Sequence, residues 1–426
     1  MRRLRHRIAA SIARYSTTAF GRALIARRHL AHRRPQHAPR LFVDVSVLAS
    51  HDARTGIQRI VRGVINALRR NHSFGSMHLV YATRKHGYRI ANWNIHLDRI
   101  TTSSNDTIMT PAAGDVFFGL DLAAHLLPRH FSLLSRYRSE GMKIVSLAYD
   151  LLPEQHPNWF NDKTVRNYRR WLRASTKLAD GFITISHSVK RDLQEWISNQ
   201  GIQTASIPVS AIHLAGAIDQ SAPSQGLPAD SSLLLEKLAR TPSVLMVGTI
   251  EPRKGYNEAL AAFDDLWDRG HEVNLIIVGK PGWKTDGIQD RLRSHPLLDR
   301  RLFWFDDASD QWLALLYEVA HLVMAASKAE GLGLPIAEAM AAGKPVLARG
   351  IPVFREIGGS QIDYFESDSP DSLGTRILSM LAATDRSHEA RVFSWDEAVA
   401  QLDQFLWQIC TTGTPSSDVC PARNPF

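Results

Sequence analysis

From Leu41 onward, short apolar runs alternate with stretches of helical period. The runs at 41–48, 78–83, 115–118, 142–149, 181–186 and 205–210 read as strands. Between the first two, Ile57, Ile60, Val61, Val64, Ile65 and Leu68 fall at i, i+3, i+4, i+7, i+8 and i+11. That spacing predicts an amphipathic helix, with Thr55 as its N-cap and Gly56 in its first turn. Alternation of strand, helix and strand predicts an α/β fold on a parallel, doubly wound sheet.

Residues 216–232 are rich in Ser, Pro, Gly and Ala and carry no period, which marks an inter-domain linker over 216–240. The alternation then restarts, with strands at 243–250, 272–279, 301–305, 321–326 and 345–348 and helices at 256–269, 309–320 and 335–342. Ala398, Leu402, Phe405 and Leu406 mark a last helix. The expected architecture is two Rossmann-like domains, 41–215 and 241–392, facing each other across a cleft. A closing helix at 393–410 and an unpatterned tail at 411–426, expected to be disordered, complete it. Ligands of open α/β sheets bind outside the carboxyl ends of the strands, so the loops after those strands are where chemistry is expected.

Of 426 residues, 44% are apolar and 22% charged, the balance of a soluble globular protein. The most apolar stretch, 322–347, is interrupted by Lys328, Glu330 and Lys344, too soon for a membrane span. Cys410 and Cys420 cannot build a disulfide framework or a zinc site, which fits a reducing compartment. The formal charge of +9 is local. Residues 1–40 hold 11 Arg and no Lys, Asp or Glu, leaving 40 basic against 42 acidic residues in the body. That body offers no basic face, so no nucleic-acid partner is expected. In the extension, Leu4, Ile8, Ile12, Phe20, Leu24 and Ile25 form a stripe, with Arg3, Arg7, Arg14 and Arg22 in other sectors. Such a helix can lie flat on an anionic leaflet. It lacks the apolar core of a secretory signal, although a transit peptide or a basic tail has the same composition.

The most informative segment is 327–345, SKAEGLGLPIAEAMAAGKP. Pro335 suits the start of a helix, Gly343 its far end and Pro345 a stop. Gly331, Leu332, Gly333 and Leu334 then form a strand-to-helix loop whose amides can bind an anion. Glu330 before the loop and Glu338 one turn into the helix are carboxylates suited to accept hydrogen bonds from sugar hydroxyls. A second cluster, Glu251-Pro252-Arg253-Lys254-Gly255, follows strand 243–250. There Arg253, as a planar fork, and Lys254, as a point charge, can neutralise a diphosphate. Asp150 stands at the carboxyl end of strand 142–149, where it can contact an acceptor or cap a turn. The pairs Asp264-Asp265 and Asp306-Asp307 lack further ligands nearby, and no metal is expected.

These residues resemble a family. EGLGLPIAEAMAAGKPV is similar to the Glu-x7-Glu signature of retaining glycosyltransferases of family 4, which have the GT-B fold, and VGTIEPRKG to their phosphate-binding segment. FSWDEAVAQL is similar to the helix by which such enzymes return toward the N-terminal domain. DVSVL, TGIQRIVRGV and YDLLPEQHPNWF resemble bacterial mannosyl- and rhamnosyltransferases of polysaccharide assembly. The resemblance implies that Glu330 contacts the transferred sugar and Glu338 the ribose hydroxyls. It implies that Arg253 and Lys254 compensate the leaving diphosphate, that Gly331 to Leu334 supply amides, and that Gly56 lies near the phosphate or the acceptor. Two positions depart from the pattern. Tyr149 stands where many relatives have His, and Thr249 stands where an Arg often follows the glycine of the phosphate strand.

The activity so implied is retaining transfer of a hexose, mannose or a deoxyhexose such as rhamnose, from a GDP- or dTDP-sugar to a lipid-linked glycan. No other cofactor is implied. The work would be done in the cytoplasm, at the inner face of the cytoplasmic membrane. Two other classes fit the same features: an epimerase or phosphorylase of this fold, and a non-catalytic nucleotide-sugar-binding partner in an assembly complex.

Overall fold

The first sheet is built from runs whose side chains are buried on both faces, as parallel strands sandwiched by helices must be. The computed structural model describes residues 37–51, 56–94, 99–202, 207–212, 224–383 and 394–412. In the first domain the strands are β1 (Arg40–Asp44), β2 (Ser76–Ala82), β3 (Tyr88–Ile90), β4 (Asn92–Asn94) and β5 (Arg99–Thr101). They continue with β6 (Val116–Gly119), β7 (Lys143–Ala148), β8 (Gly181–Thr184) and β9 (Val209–Ala211). The main sheet runs β3-β2-β1-β6-β7-β8-β9, and only β3 is antiparallel to its neighbour. β4 and β5 form a small separate hairpin.

Helix α1 (Gly56–Arg70) buries Ile60, Val61, Val64, Ile65 and Leu68 against this sheet. Gly56 is its first residue; Thr55 and the stripe from Leu4 to Ile25 expected to contact a membrane lie outside the described residues. Helix α2 (His187–Asn199) starts at Ser186, whose hydroxyl accepts the amide of Val189 at 3.1 Å.

The second domain opens with helix α3 (Ser231–Arg240), inside the stretch read as linker. Leu238 of α3 is fully buried against the second sheet, with Leu234 and Leu235 beside it. Three leucines spaced for one face of a helix outweigh the breakers just before them. The strands are β10 (Ser243–Val247), β11 (Asn274–Val278), β12 (Leu302–Phe305), β13 (Leu322–Ala325), β14 (Val346–Arg349) and β15 (Asp363–Phe365). They form an all-parallel sheet in the order β12-β11-β10-β13-β14-β15. Helix α4 (Tyr256–Asp268) and helix α5 (Leu334–Ala341) each follow a loop at the carboxyl end of a strand.

Helix α6 (Trp395–Thr411) begins with a capping box made by Ser394 and Glu397. Its Trp395, Leu402, Leu406 and Ile409 belong to the core of the first domain. A side chain at Gly63 of α1 would collide with the Trp395 ring at 2.7 Å, so glycine is what lets the two helices meet. No helix among the described residues is long and apolar enough to cross a membrane.

Candidate functional site

In the second sheet the chain leaves β10 for β11 and β12 on one side, then returns to β13, β14 and β15 on the other. The strand order reverses between β10 and β13, and a crevice opens at such a switch point. The loops after those two strands carry the residues singled out from sequence. After β10, Gly248 holds φ +138°, and a Cβ there would lie 3.2 Å from the Lys254 Nζ. Glycine is therefore what allows the lysine to lie across the strand end. A turn at Pro252–Lys254 then aims Arg253 and Lys254 toward the loop after β13.

They meet Glu330 there. Arg253 Nη1 lies 2.5 Å from Glu330 Oε2, and Lys254 Nζ lies 2.5 Å from Oε1, to which Ser327 also donates at 2.8 Å. Arg253 is anchored further: its Nη1 donates to the Ala329 carbonyl at 3.0 Å, and its Nε lies 2.8 Å from Glu251 Oε2. Burial alone would raise the Glu330 carboxyl, but Arg253 and then Lys254 overcome it and hold it at about 2. Glu330 is thus an ionised acceptor between two cations.

Asp150 comes to the same place from the first domain. Burial pushes its carboxyl up to about 6; Arg253 opposes that, while Glu330 and Glu251 add to it. Its Oδ1 also accepts the amide of Leu152 at 3.1 Å, so Asp150 serves as turn cap and site carboxylate at once.

The loop 331–334 differs from the expected phosphate cradle in one respect: its side chains dock on the first domain. Leu332 is buried in the first domain's core and Leu334 packs against it. The Ser186 hydroxyl donates to the Gly331 carbonyl at 2.8 Å. A Cβ on Gly331 would lie 2.1 Å from the Tyr149 carbonyl oxygen, and one on Gly56 would touch Leu334 at 3.4 Å. Gly333 caps α5 at φ +107°. Thr249 sits at the end of β10 with its methyl toward Gly282.

Tyr149, a candidate from the sequence for the acceptor side of the cleft, is instead a core residue. Its side chain turns away from the cleft into the first core, where its hydroxyl donates to the Leu120 carbonyl at 2.8 Å and burial raises its pKa well above the usual value. Only its backbone reaches the cleft, at Gly331. The residue missed was Arg59, in the first turn of α1. It bridges the cleft to Glu338 Oε1 and to Asp310 Oδ1, the latter at 2.7 Å. Glu338 Oε2 accepts the Tyr317 hydroxyl at 2.8 Å. A signal existed: a cation in the first turn of a helix opposes the dipole, and no acid accompanies it there. The cavity bordered by Lys254, Ser327, Glu330, Gly333 and Ile336 measures about 10 Å³.

Residues 235–391 match the family model described as Glycosyl transferases group 1. Over that stretch the chain is similar to the glycosyltransferases of this group. The match takes in both loops of the site and the whole second sheet. The serotype-specific mannosyltransferase WbdA of Escherichia coli is 37% identical over 376 residues, covering 86% of this chain and 45% of that protein. The O-antigen chain mannosyltransferase B of Escherichia coli is 30% identical over 190 residues, 44% of this chain and 49% of that one. The chain therefore spans about half the length of these relatives. Among solved structures, Anabaena Alr3699/HepE in complex with UDP-glucose aligns with TM-score 0.57 at 16% identity, over 88% of this chain and 98% of that one. At that identity the likeness bears on fold alone, and the fold is GT-B.

Proposed function

We propose that the protein transfers a hexose, mannose in the first place, from a nucleotide-diphosphate sugar to a lipid-linked glycan, with retention of anomeric configuration and without a metal. A GDP-sugar is the favoured donor and a dTDP-sugar the second choice. The observation that carries the reading is the Arg253–Glu330–Lys254 clamp at the switch point of the second sheet. The mannosyltransferase activity named for the relatives supports mannose as the sugar and surface polysaccharide as the product. We also propose that the work is done at the inner face of the cytoplasmic membrane, with residues 1–40 as the contact.

The chemistry follows from charge. Transfer passes through an oxocarbenium-like state while negative charge gathers on the departing diphosphate. Arg253 and Lys254, already held at one point, supply two positive charges to meet it, and preorganised charge of this kind is the largest contribution a protein makes. Glu330, kept ionised by the same cations, accepts hydroxyl hydrogen bonds from the sugar and opposes its positive charge. Asp150, on the facing domain, contacts the acceptor hydroxyl, whose proton passes to the leaving phosphate. Closure of the domains keeps water from competing.

The test is a transfer assay with GDP-mannose and dTDP-rhamnose as donors, a lipid-linked oligosaccharide as acceptor, and proton NMR of the new linkage. Transfer from GDP-mannose with the donor's anomeric configuration, in the presence of chelator, is expected. An inverted product overturns the retaining mechanism. Donor binding with no transfer to any acceptor favours the non-catalytic partner.

A further inference from the structure

The Glu338 carboxylate has both oxygens taken, one by Arg59 from the opposite domain and one by the Tyr317 hydroxyl. The pair is secluded, with the Arg59 side chain 18% exposed and that of Glu338 2%. The fork's other arm rests on Asp310, which in turn accepts the amide and the hydroxyl of Ser224 at 2.9 and 2.8 Å. A single planar guanidinium thus ties the first turn of α1 to two acids of the second domain, the geometry for which Arg is suited.

Further contacts draw the domains together around this tie. The Glu356 carboxylate accepts the amides of His187 and Ser188 at the start of α2, at 2.6 and 2.8 Å. Trp283 Nε1 donates to the Trp159 carbonyl at 2.7 Å, and Lys284 Nζ to that of Asn158 at 2.9 Å. Leu332, two residues after Glu330, is seated in the first core as well.

We infer that Arg59 is a latch which closes the donor site by occupying the carboxylate that the donor must claim. The inference rests on the reading of Glu338 as a ligand of the donor's ribose. Breaking the Arg59–Glu338 pair and separating the domains are then one event, and donor entry is coupled to opening. A latch of this kind lowers apparent donor affinity by the fraction of molecules held shut.

The experiment uses the full chain with GDP as probe, read by calorimetry, and small-angle scattering of the unliganded protein. Arg59→Gln is expected to bind GDP on the order of tenfold more tightly than wild type and to have a larger radius of gyration. Asp310→Asn removes one arm of the fork without touching Glu338, and is expected to shift both readouts the same way by less. Unchanged or weaker GDP binding in Arg59→Gln, with the fold intact by circular dichroism, overturns the latch; weaker binding would make Arg59 a cation for the donor itself. Glu338→Gln introduced on top of Arg59→Gln, where no latch remains, separates the two ideas. If it leaves GDP affinity unchanged, the ribose reading fails and the latch with it. If it weakens binding while Arg59→Gln does not tighten it, the latch alone fails.

Discussion

The two domains share one topology and use its switch point in opposite ways. In the first sheet the strand order reverses between β1 and β6, as it does between β10 and β13 in the second. At the first switch point Asp44 ends β1 and Asp121 follows β6, and both are buried. A short helix, Ser46–Ser50, starts two residues after β1 and buries Ser46 and Leu48. Asp44 accepts the amide of Ser46 at 2.9 Å, and Asp121 accepts those of Val47 and Leu48 at 2.7 Å. Burial pushes Asp44 up to about 7 and Asp121 to about 6. At the second switch point the loop Gly248–Gly255 delays the helix, and paired charges line the gap. A doubly wound sheet supplies a crevice. Whether it becomes a site depends on how soon the next helix begins and where the acids find their partners.

Substitutions at each point can break or sharpen that contrast. Glu330→Ala and Lys254→Ala should each cut transfer at least about 100-fold, the usual loss when one preorganised charge is removed. Both variants should still fold, with melting temperatures lowered by the buried charge left unpaired, and near-normal kcat/KM in both would contradict the assignment of this switch point as the active one. Asp121→Ala should do the reverse. It strands two buried amides and should cost about 1–3 kcal/mol of stability by denaturant titration, while GDP affinity at the other domain holds.

The pH dependence of stability should also separate the two. Asp44 and Asp121 bind protons more tightly folded than unfolded, where the ordinary value is 3.8. Their stabilisation is complete below that value and is lost as pH rises through 6 and 7. Each group contributes a slope of up to about 1.4 kcal/mol per pH unit. Asp44→Asn should flatten the decline in unfolding free energy measured between pH 5 and 8; an unaltered slope would show that Asp44 titrates normally. The smallest effect is expected at Asp150, which acts ionised. Transfer should fall several-fold as pH drops through about 6, and Asp150→Asn should show a lower rate without that acid limb in its kcat/KM profile.

Features whose causes lie within one or two helical turns were legible along the chain. Ile60, Val61, Val64, Ile65 and Leu68 specify the buried face of α1 by spacing alone, and Pro335 with Gly343 bracket α5. The two loops that carry Arg253, Lys254 and Glu330 were legible as strand-end loops, but the ion pairing of those side chains with one another was not. Leu234, Leu235 and Leu238 show the limit of reading composition: Ser and Pro nearby masked a helix whose stability comes from burial on the second sheet.

What the chain alone determined, then, is most of the helices and strands and which strand-end loops carry charge, because hydrophobic period and turn chemistry act between near neighbours. Only the tertiary structure decided which groups face each other across the cleft. Arg59 and Glu338 are 279 positions apart, and no local pattern links a cation on one helix to an acid on another. Tyr149 turned inward because the Leu120 carbonyl, buried beside it, needed a donor; that demand arises only once the two strands pack.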